Sequence, residues 1–272
     1  MTIAIYGRNI DKDDAKVWFL LGRLAAGGAK TYFCNGDLQP GTDMVLALGG
    51  DGTFLRAINM LRGRDIPIAG INFGRLGFLT SAKVEEGENV WIDDLLKGNY
   101  TIQKRLLLKV DSPAIPHGVH PYALNEFSIQ RQTPAMLCIQ VSLDGAKMPA
   151  YWADGVVVST PTGSTAYSLS VGGPIVTPGS DVFIIAPIAP HNLNVRPIVA
   201  PASSRLEISF TSKQAQMGVA TLDNSSFPVQ VGSSFTIGKA DFEASCITFG
   251  GGGFIDALNH KLLWGEDKRN AF

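Results

Sequence analysis

Apolar residues in the first hundred positions alternate between two rhythms. Short runs such as "TIAIYG" (2–7), "DMVLALGG" (43–50) and "IPIAGINFG" (66–74) are β-rich and almost continuously apolar. Between and after them, "DAKVWFLLGRLAAGG" (14–28), "TFLRAINMLRG" (53–63) and "VWIDDLLKGN" (90–99) place apolar residues at helical spacing. Strand then helix, repeated, predicts a parallel sheet covered by helices. From about residue 101 the rhythm changes. Runs such as "TIQKRLLLKVDS", "YALNEFSIQRQ", "MLCIQVSLDG", "VFIIAPIAP", "SRLEISFTS", "PVQVGSSFTIGKAD" and "ASCITFG" are divided by Gly, Pro, Ser and Asp clusters with hardly any helical period. That texture predicts an antiparallel sandwich or barrel. After Gly250–Gly253 the segment "FIDALNHKLLWGE" is helical again, with Phe254, Leu258, Leu262 and Leu263 near one face. The pattern gives an α/β domain over 1–100 and an all-β domain over 101–253, with 254–272 packing back on the first.

Composition narrows the function classes. The 272 residues carry 23 basic and 24 acidic side chains with no long run of either sign, so a nucleic-acid partner is not expected. No stretch approaches the roughly 20 apolar residues that span a bilayer, and "MTIAIYGRN" lacks the basic and apolar regions of a signal peptide. The expected location is the cytoplasm, away from membranes. Cys34, Cys138 and Cys246 are far apart and free of CxxC spacing, which argues against disulfides and zinc.

The candidate chemistry begins at "VLALGGDGTFLRAI" (45–58), where a buried-strand pattern hands over to a helix through Gly49, Gly50 and Gly52, with Asp51 among them. Backbone N–H groups at such a turn point outward, and the helix dipole adds partial positive charge, so phosphate is the natural guest. Thr53 adds a hydroxyl donor. A carboxylate there would repel phosphate, which leaves three readings of Asp51: a helix cap, a metal contact, or a base acting on a hydroxyl about to attack phosphorus. No G-x-x-x-x-G-K-[ST], helix-opening G-x-G-x-x-G or H-E-x-x-H occurs, so P-loop, dinucleotide-dehydrogenase and zincin chemistry lose support. A second cluster, "ADGVVVSTPTGSTAYSLSVGGPIVTPGSD" (153–181), follows a strand-like "GVVVST" with Thr162, Ser164, Thr165, Ser168, Ser170 and Tyr167, a polar lining or a Ser/Thr-rich turn.

Together with "GGDGTFL", this second stretch resembles the NAD kinase family. So do "NFGRLGFL" (72–79), Asn125-Glu126 in "YALNEFSI", and "PHNLNVRPIV" (190–199), which is similar to the family's H-x-L-x-x-R-P element. The pieces stand in the family's order across roughly residues 43 to 200. "GGDGT" alone is shared with diacylglycerol, sphingosine and phosphofructokinases, whereas the combination is specific. The resemblance implies a Rossmann-like N-terminal domain, an antiparallel β-sandwich C-terminal domain and a site between them. It implies transfer of the γ-phosphoryl group of ATP, with a divalent cation such as Mg2+, to the 2′-hydroxyl of the adenosine ribose of NAD. It also implies a homo-oligomer, dimer or tetramer.

By the same resemblance Asp51 is the base, Gly49, Gly50 and Gly52 offer amides to phosphates, and Phe78 lines the substrate site. Asn125 and Glu126 contact the dinucleotide, the latter as a carboxylate accepting from ribose hydroxyls. Asp154 reaches the nicotinamide half, and Tyr167 lies against a ring. Thr162 and Thr165 bond the adenine side, with Ala166 and Ser170 completing the lining. Asp223 falls at the family's D-G-Q position, here Asp-Asn-Ser, so Asn224 enters only as a lining residue. Arg75 is a weak phosphate candidate, and His191 and Arg196 are read as turn residues. Two rivals stand beside this reading: a lipid or sugar kinase of the "GGDGT" group, and a non-catalytic dinucleotide sensor.

Overall fold

In the computed structural model the described residues are 1–8, 10–73, 77–84, 89–250 and 253–262. The chain divides into two compact units, residues 1–104 with 245–272, and residues 105–244. The texture change near residue 100 lies four residues before the first division. The second lies before the glycines at 250–253, because Cys246, late in a long strand, pairs with Ile68 of the first unit's sheet.

The first unit opens with β1 (Thr2–Tyr6), α1 (Ala15–Ala26), β2 (Lys30–Cys34), β3 (Met44–Leu48), α2 (Asp51–Leu61), β4 (Ile68–Asn72), β5 (Ala82–Lys83) and α3 (Val90–Lys97). Its strands run parallel in the order β2-β1-β3-β4, with β5 beside β4. Every residue of β3 and β4 is buried, as expected of central parallel strands covered on both faces. Ile3, Ile5, Leu46, Leu48 and Ile71 meet Leu20 and Leu24 of α1 and Ile92 and Leu95 of α3 in one core. Arg23 of α1 pairs with Asp93 of α3 at 2.6 Å. β2 is the strand that the hydrophobic pattern does not announce: "KTYFC" is only partly buried at the sheet edge.

The strands that follow are β6 (Thr101–Asp111), β7 (Tyr122–Ala123), β8 (Glu126–Arg131), β9 (Leu137–Leu143), β10 (Ala146–Lys147), β11 (Tyr151–Ala153) and β12 (Gly155–Ser159). A 3-10 turn (Thr162–Thr165) and the single-turn α4 (Tyr167–Ser170) then lead to β13 (Val182–Ile188), β14 (Ile198–Pro201), β15 (Leu206–Thr211), β16 (Met217–Leu222), β17 (Ser225–Gln230) and β18 (Ser234–Thr248). In the second unit one antiparallel sheet has the order β14-β13-β12-β8-β16-β17. A second is built around β9, β15 and the first half of β18. Phe127, Val156, Val158 and Phe183 of the former sheet share a core with Ile139, Ile208, Phe210 and Phe235 of the latter, a β-sandwich. Pro228 sits on the edge strand β17, where a missing N–H costs no ladder bond. Among the described residues the three cysteines are free, and no helix is long and apolar enough to cross a membrane.

The chain ends in α5 (Phe254–Leu262), which belongs to the first unit. Leu258 is buried, Leu262 is exposed instead of sharing the buried face, and Leu263 lies outside the described residues.

One predicted strand is broken. "YALNEFSIQRQ" reads as one run, yet β7 ends at Ala123 and β8 begins at Glu126. The carboxylate of Asp223 accepts from the N–H groups of Leu124, Asn125 and Glu126 at 2.8, 2.9 and 3.1 Å, so these amides are taken out of a regular ladder. Asp223 reaches them from the two-residue turn between β16 and β17, where its φ of 46° is left-handed. Asp and Asn tolerate that conformation, so the Asp-Asn pair closes a hairpin where a glycine would be the usual choice.

Candidate active site

Asp51 is the first residue of α2 and does not cap it. The N-cap is Gly50, which makes no side-chain cap bond. The Asp51 carboxylate reaches instead to the loop after β4, accepting from Phe78 N at 3.0 Å and Leu79 N at 3.1 Å. That approach dictates the glycine before them. A Cβ on Gly77 would stand 1.7 Å from Asp51 Oδ1, so no side chain fits. Thr80 fixes the same loop by accepting from Gly77 N. The carboxylate is still about one-third exposed. Each oxygen accepts one amide and keeps lone-pair capacity for a hydroxyl proton. The acid expected among the glycines is therefore aimed by a segment 27 residues away.

The glycine turn itself differs in one respect from its sequence reading. Gly49 N donates to Ile71 O at 2.8 Å, so this amide extends the sheet and is not offered to a phosphate. Thr53 N turns back to Gly50 O at 2.9 Å, as at many helix starts. Its hydroxyl lies where a side chain on Gly49 would be, 2.5 Å from that Cβ position. Gly50 and Gly52 occupy the open N-terminal turn of α2. Phe78 is half-buried beside Asp51, and Arg75 lies outside the described residues.

A second cluster stands in the β-sandwich unit. Ser159 and Thr160, at and just after the end of β12, bond the backbone of Leu124 and Asn125: Thr160 Oγ1 donates to Leu124 O, Thr160 N to Asn125 O at 2.9 Å, and Ser159 Oγ to Asn125 O at 3.2 Å. Gly163 packs so tightly on this segment that a Cβ would meet Asn125 O at 2.2 Å. The two expected motifs, Asn125-Glu126 and the hydroxyl-rich stretch, are thus one piece of structure. Most of its hydroxyls serve that structure. Ser164 Oγ is tied to Val176 N and O, Thr165 Oγ1 donates to Thr162 O at 3.4 Å, and Thr162 accepts from Arg105 at 3.3 Å.

What remains for a ligand is more select than the sequence implies. Asn125 Oδ1, Glu126 Oε2 and Ser168 Oγ are buried and have no hydrogen-bond partner among the described residues, so each can accept a bond from a guest. Tyr167 donates from its hydroxyl to Gln130 Oε1 at 3.3 Å. Asp154 pairs with Arg131 at 2.9 Å. Ala166 is half-buried, while Ser170 and Asn224 are exposed. His191 donates its backbone N–H to Trp152 O at 2.7 Å, and Arg196 donates to the carbonyls of Leu193 and Val195, both within turns. Gln130 and Arg131 are members that the motifs did not single out. Their signal is strand alternation: Gln130 faces Gly155 across the ladder of β8 and β12, next to Asp154.

Protonation is unusual in this cluster. Burial, reinforced by the charge of Asp223, pushes the Glu126 carboxyl up to about 8, against a backbone hydrogen bond from Tyr167 that acts the other way. Asp223 is held up at about 6, because desolvation outweighs its three amide bonds. Burial raises the Tyr167 hydroxyl too, with help from Glu126 and Asp154. Burial thus favours the protonated form of Glu126 near neutral pH, a form that donates as well as accepts.

Among the described residues no three His, Cys, Asp or Glu side chains converge as a metal cage. Asp51 already accepts two amides. This donor set fits a cation that arrives on a nucleotide's phosphates and takes at most a carboxylate, the usual habit of magnesium.

An α/β unit presenting an oriented aspartate at a glycine turn, joined in one chain to a β-sandwich with vacant polar atoms, defines a two-domain phosphotransferase of the "GGDGT" type. Family models narrow it: residues 30–100 match the ATP-NAD kinase N-terminal domain and residues 124–249 the ATP-NAD kinase C-terminal domain. The chain is 42% identical to the NAD kinase of Flavobacterium psychrophilum over 237 residues, 86% of this chain and 80% of that protein. It is 42% identical to that of Bacteroides fragilis over 230 residues, 84% and 78% respectively. The crystal structure of an NAD kinase from Archaeoglobus fulgidus in complex with ATP superposes with a TM-score of 0.76 at 28% identity, covering 92% of this chain and 93% of that one. Yeast NADH kinase complexed with NADH shares the fold, with a TM-score of 0.86 at 21% identity over 100% of this chain and 90% of that one. The chain belongs to the NAD kinase family.

Proposed function

We infer that this protein transfers the γ-phosphoryl group of ATP to the 2′-hydroxyl of the adenosine ribose of NAD, forming NADP and ADP. The observation that carries the chemistry is the Asp51 carboxylate, partly open and held by the amides of Phe78 and Leu79 at the glycine turn. Asp51 takes the hydroxyl proton, the ribose oxygen bonds to Pγ, and the bond from Pγ to the β-phosphate oxygen breaks with its electrons leaving on ADP. Such transfer asks mainly for positioning and charge stabilisation. Gly50, Gly52 and Thr53 meet the phosphates at the N-terminal turn of α2. A divalent cation such as Mg2+ would be held by the nucleotide's phosphates with at most the Asp51 carboxylate from the chain, and would offset the phosphate charge there.

Recognition of the dinucleotide falls to the second unit. Asn125 and Ser168 supply the buried amide and hydroxyl. Glu126, as a neutral acid, both donates to and accepts from ribose hydroxyls. Tyr167 lies against a ring, Thr162, Thr165, Ala166 and Ser170 line its neighbourhood, and Asp154, oriented by Arg131, bonds the nicotinamide half. Membership of the NAD kinase family over both domains disfavours a lipid or sugar acceptor and a non-catalytic sensor. A homo-oligomer, dimer or tetramer, suits the exposed Trp152, Leu193, Ile198 and Val199 of the sandwich, and light scattering after gel filtration measures it. Near-balanced charge suits a cytoplasmic protein without nucleic-acid or membrane partners, which cell fractionation tests.

The purified chain incubated with ATP, magnesium and NAD is read by a dehydrogenase specific for NADP. NADP formation is expected. Transfer to glycerolipid or hexose phosphate acceptors without transfer to NAD or NADH would reject the reading.

A further inference from the structure

The amides of Phe78 and Leu79 account for one side of Asp51. On another side stands Lys261, in the last turn of α5, with Nζ 3.9 Å from Asp51 Oδ2. The same ammonium lies 4.8 Å from the centroid of the Phe78 ring. Nothing in the motifs points to this residue, and the match to the family's C-terminal domain ends at residue 249.

The arrangement is poor as a stabilising device. Both side chains are about one-third exposed, 31% for Lys261 and 34% for Asp51, and an ion pair so open contributes little to stability. It is well suited to chemistry. At 3.9 Å the ammonium feels the carboxylate's charge yet lies beyond hydrogen-bond distance, so this contact occupies none of its three donors. The Phe78 ring supports the cation through its π face, while the Phe78 N–H holds the carboxylate. One loop therefore positions both the acid and the cation.

We propose that Lys261 is a catalytic residue that binds the γ-phosphoryl group as it passes to the hydroxyl held by Asp51. The inference rests on the reading of Asp51 as base and ATP as donor. Lys261 gives up no proton. Its ammonium donates hydrogen bonds to non-bridging oxygens of the transferring group, where charge accumulates in a loose transition state, while the 2′-oxygen bonds to Pγ and ADP departs. A compact cation on a flexible stem can follow the group during transfer.

The test compares the full-length chain with Lys261→Met, which keeps the stem and removes the charge, and with Lys261→Arg. With ATP, magnesium and NAD, the methionine variant should lose about 10²-fold in kcat, as for removal of one transition-state donor. Its calorimetric Kd for NAD should stay within about twofold and its melting temperature within about 2 °C, since an exposed pair is weak. The arginine variant should recover at least about a tenth of wild-type kcat, because charge is restored with altered geometry. Should the methionine variant melt early, Lys261→Gln is read the same way. A kcat within about threefold of wild type, or a loss that tracks NAD binding or the folded fraction, overturns the proposal. Asp51→Asn in the same assay separates the two inferences: if it is inactive while Lys261→Met is active, only the lysine role fails, and if Asp51→Asn turns over normally, the underlying reading fails.

Discussion

Two aspartates in this molecule do the same thing in opposite surroundings. Asp51 and Asp223 both leave their own element to accept backbone amides from a distant loop, two for Asp51 and three for Asp223. Asp51 remains about one-third open, whereas Asp223 is 9% exposed. The open carboxylate keeps lone pairs turned to solvent and can receive a proton from a substrate. The buried one is consumed by the chain, and desolvation lifts it to about 6. Amide bonding alone therefore does not mark a reactive acid. On the proposed reading, residual access decides whether the same device serves chemistry or holds the residues assigned to the substrate.

The contrast is broken most severely at Asp223. Asp223→Ala leaves three buried amides without their acceptor, which should lower unfolding stability by about 3 kcal/mol or more in urea titrations. Asn125 and Glu126 should lose their fixed placement, so NAD affinity should fall with it. A stability change under about 1 kcal/mol would mean that the three bonds are replaced by water. At Asp51 the corresponding change is Gly77→Ala. The added methyl group collides with Oδ1 and displaces the carboxylate, so kcat should drop about 10- to 100-fold in the NADP assay, since misplacement by about 1 Å costs up to 10²-fold. Its effect on the Kd for NAD should be slight, and a normal kcat would show that the carboxylate need not be held where Phe78 and Leu79 hold it.

A pH slope sharpens the same contrast. Glu126 at about 8 and Asp223 at about 6 both lie above their ordinary values of 4.5 and 3.8, so over that window the folded chain binds more protons than the unfolded one. Their stabilising contribution is present in full below about pH 4 and is lost as pH rises to about 8, at up to about 1.4 kcal/mol per pH unit for each proton. Stability measured at pH 5 and pH 8 should favour pH 5, and Glu126→Gln should flatten the difference. An unchanged slope in that variant would place the retained proton elsewhere.

The sequence carried the architecture well because burial writes itself into periodicity. The all-apolar β3 and β4, the helical spacing of α2 and the short strands after residue 101 follow from which faces are covered. β2 escaped because an edge strand is half-exposed and its pattern is weak. The site was legible as residue types and not as geometry. Asp51 stands out among its glycines, but its partners lie 27 and 28 residues on, and their amides have no sequence signature. Gly77 was visible only as one glycine of "NFGRLGFL", without the reason for its bareness. Likewise the break at Leu124–Asn125 is imposed by Asp223 from about a hundred positions away, so the run read as one continuous strand. In the hydroxyl-rich segment lining and turn could not be told apart, because hydroxyls that close turns and hydroxyls that await a ligand look alike in sequence.

The most direct test of the central claim is Asp51→Asn, assayed by single turnover of bound NAD with ATP and magnesium alongside calorimetric NAD binding. The amide keeps an oxygen for one of the two loop N–H groups and cannot take the hydroxyl proton. Asp51 as base predicts NAD binding near wild type and a transfer rate lower by about 10²- to 10⁴-fold. A transfer rate within about tenfold of wild type, with NAD binding intact, would contradict it.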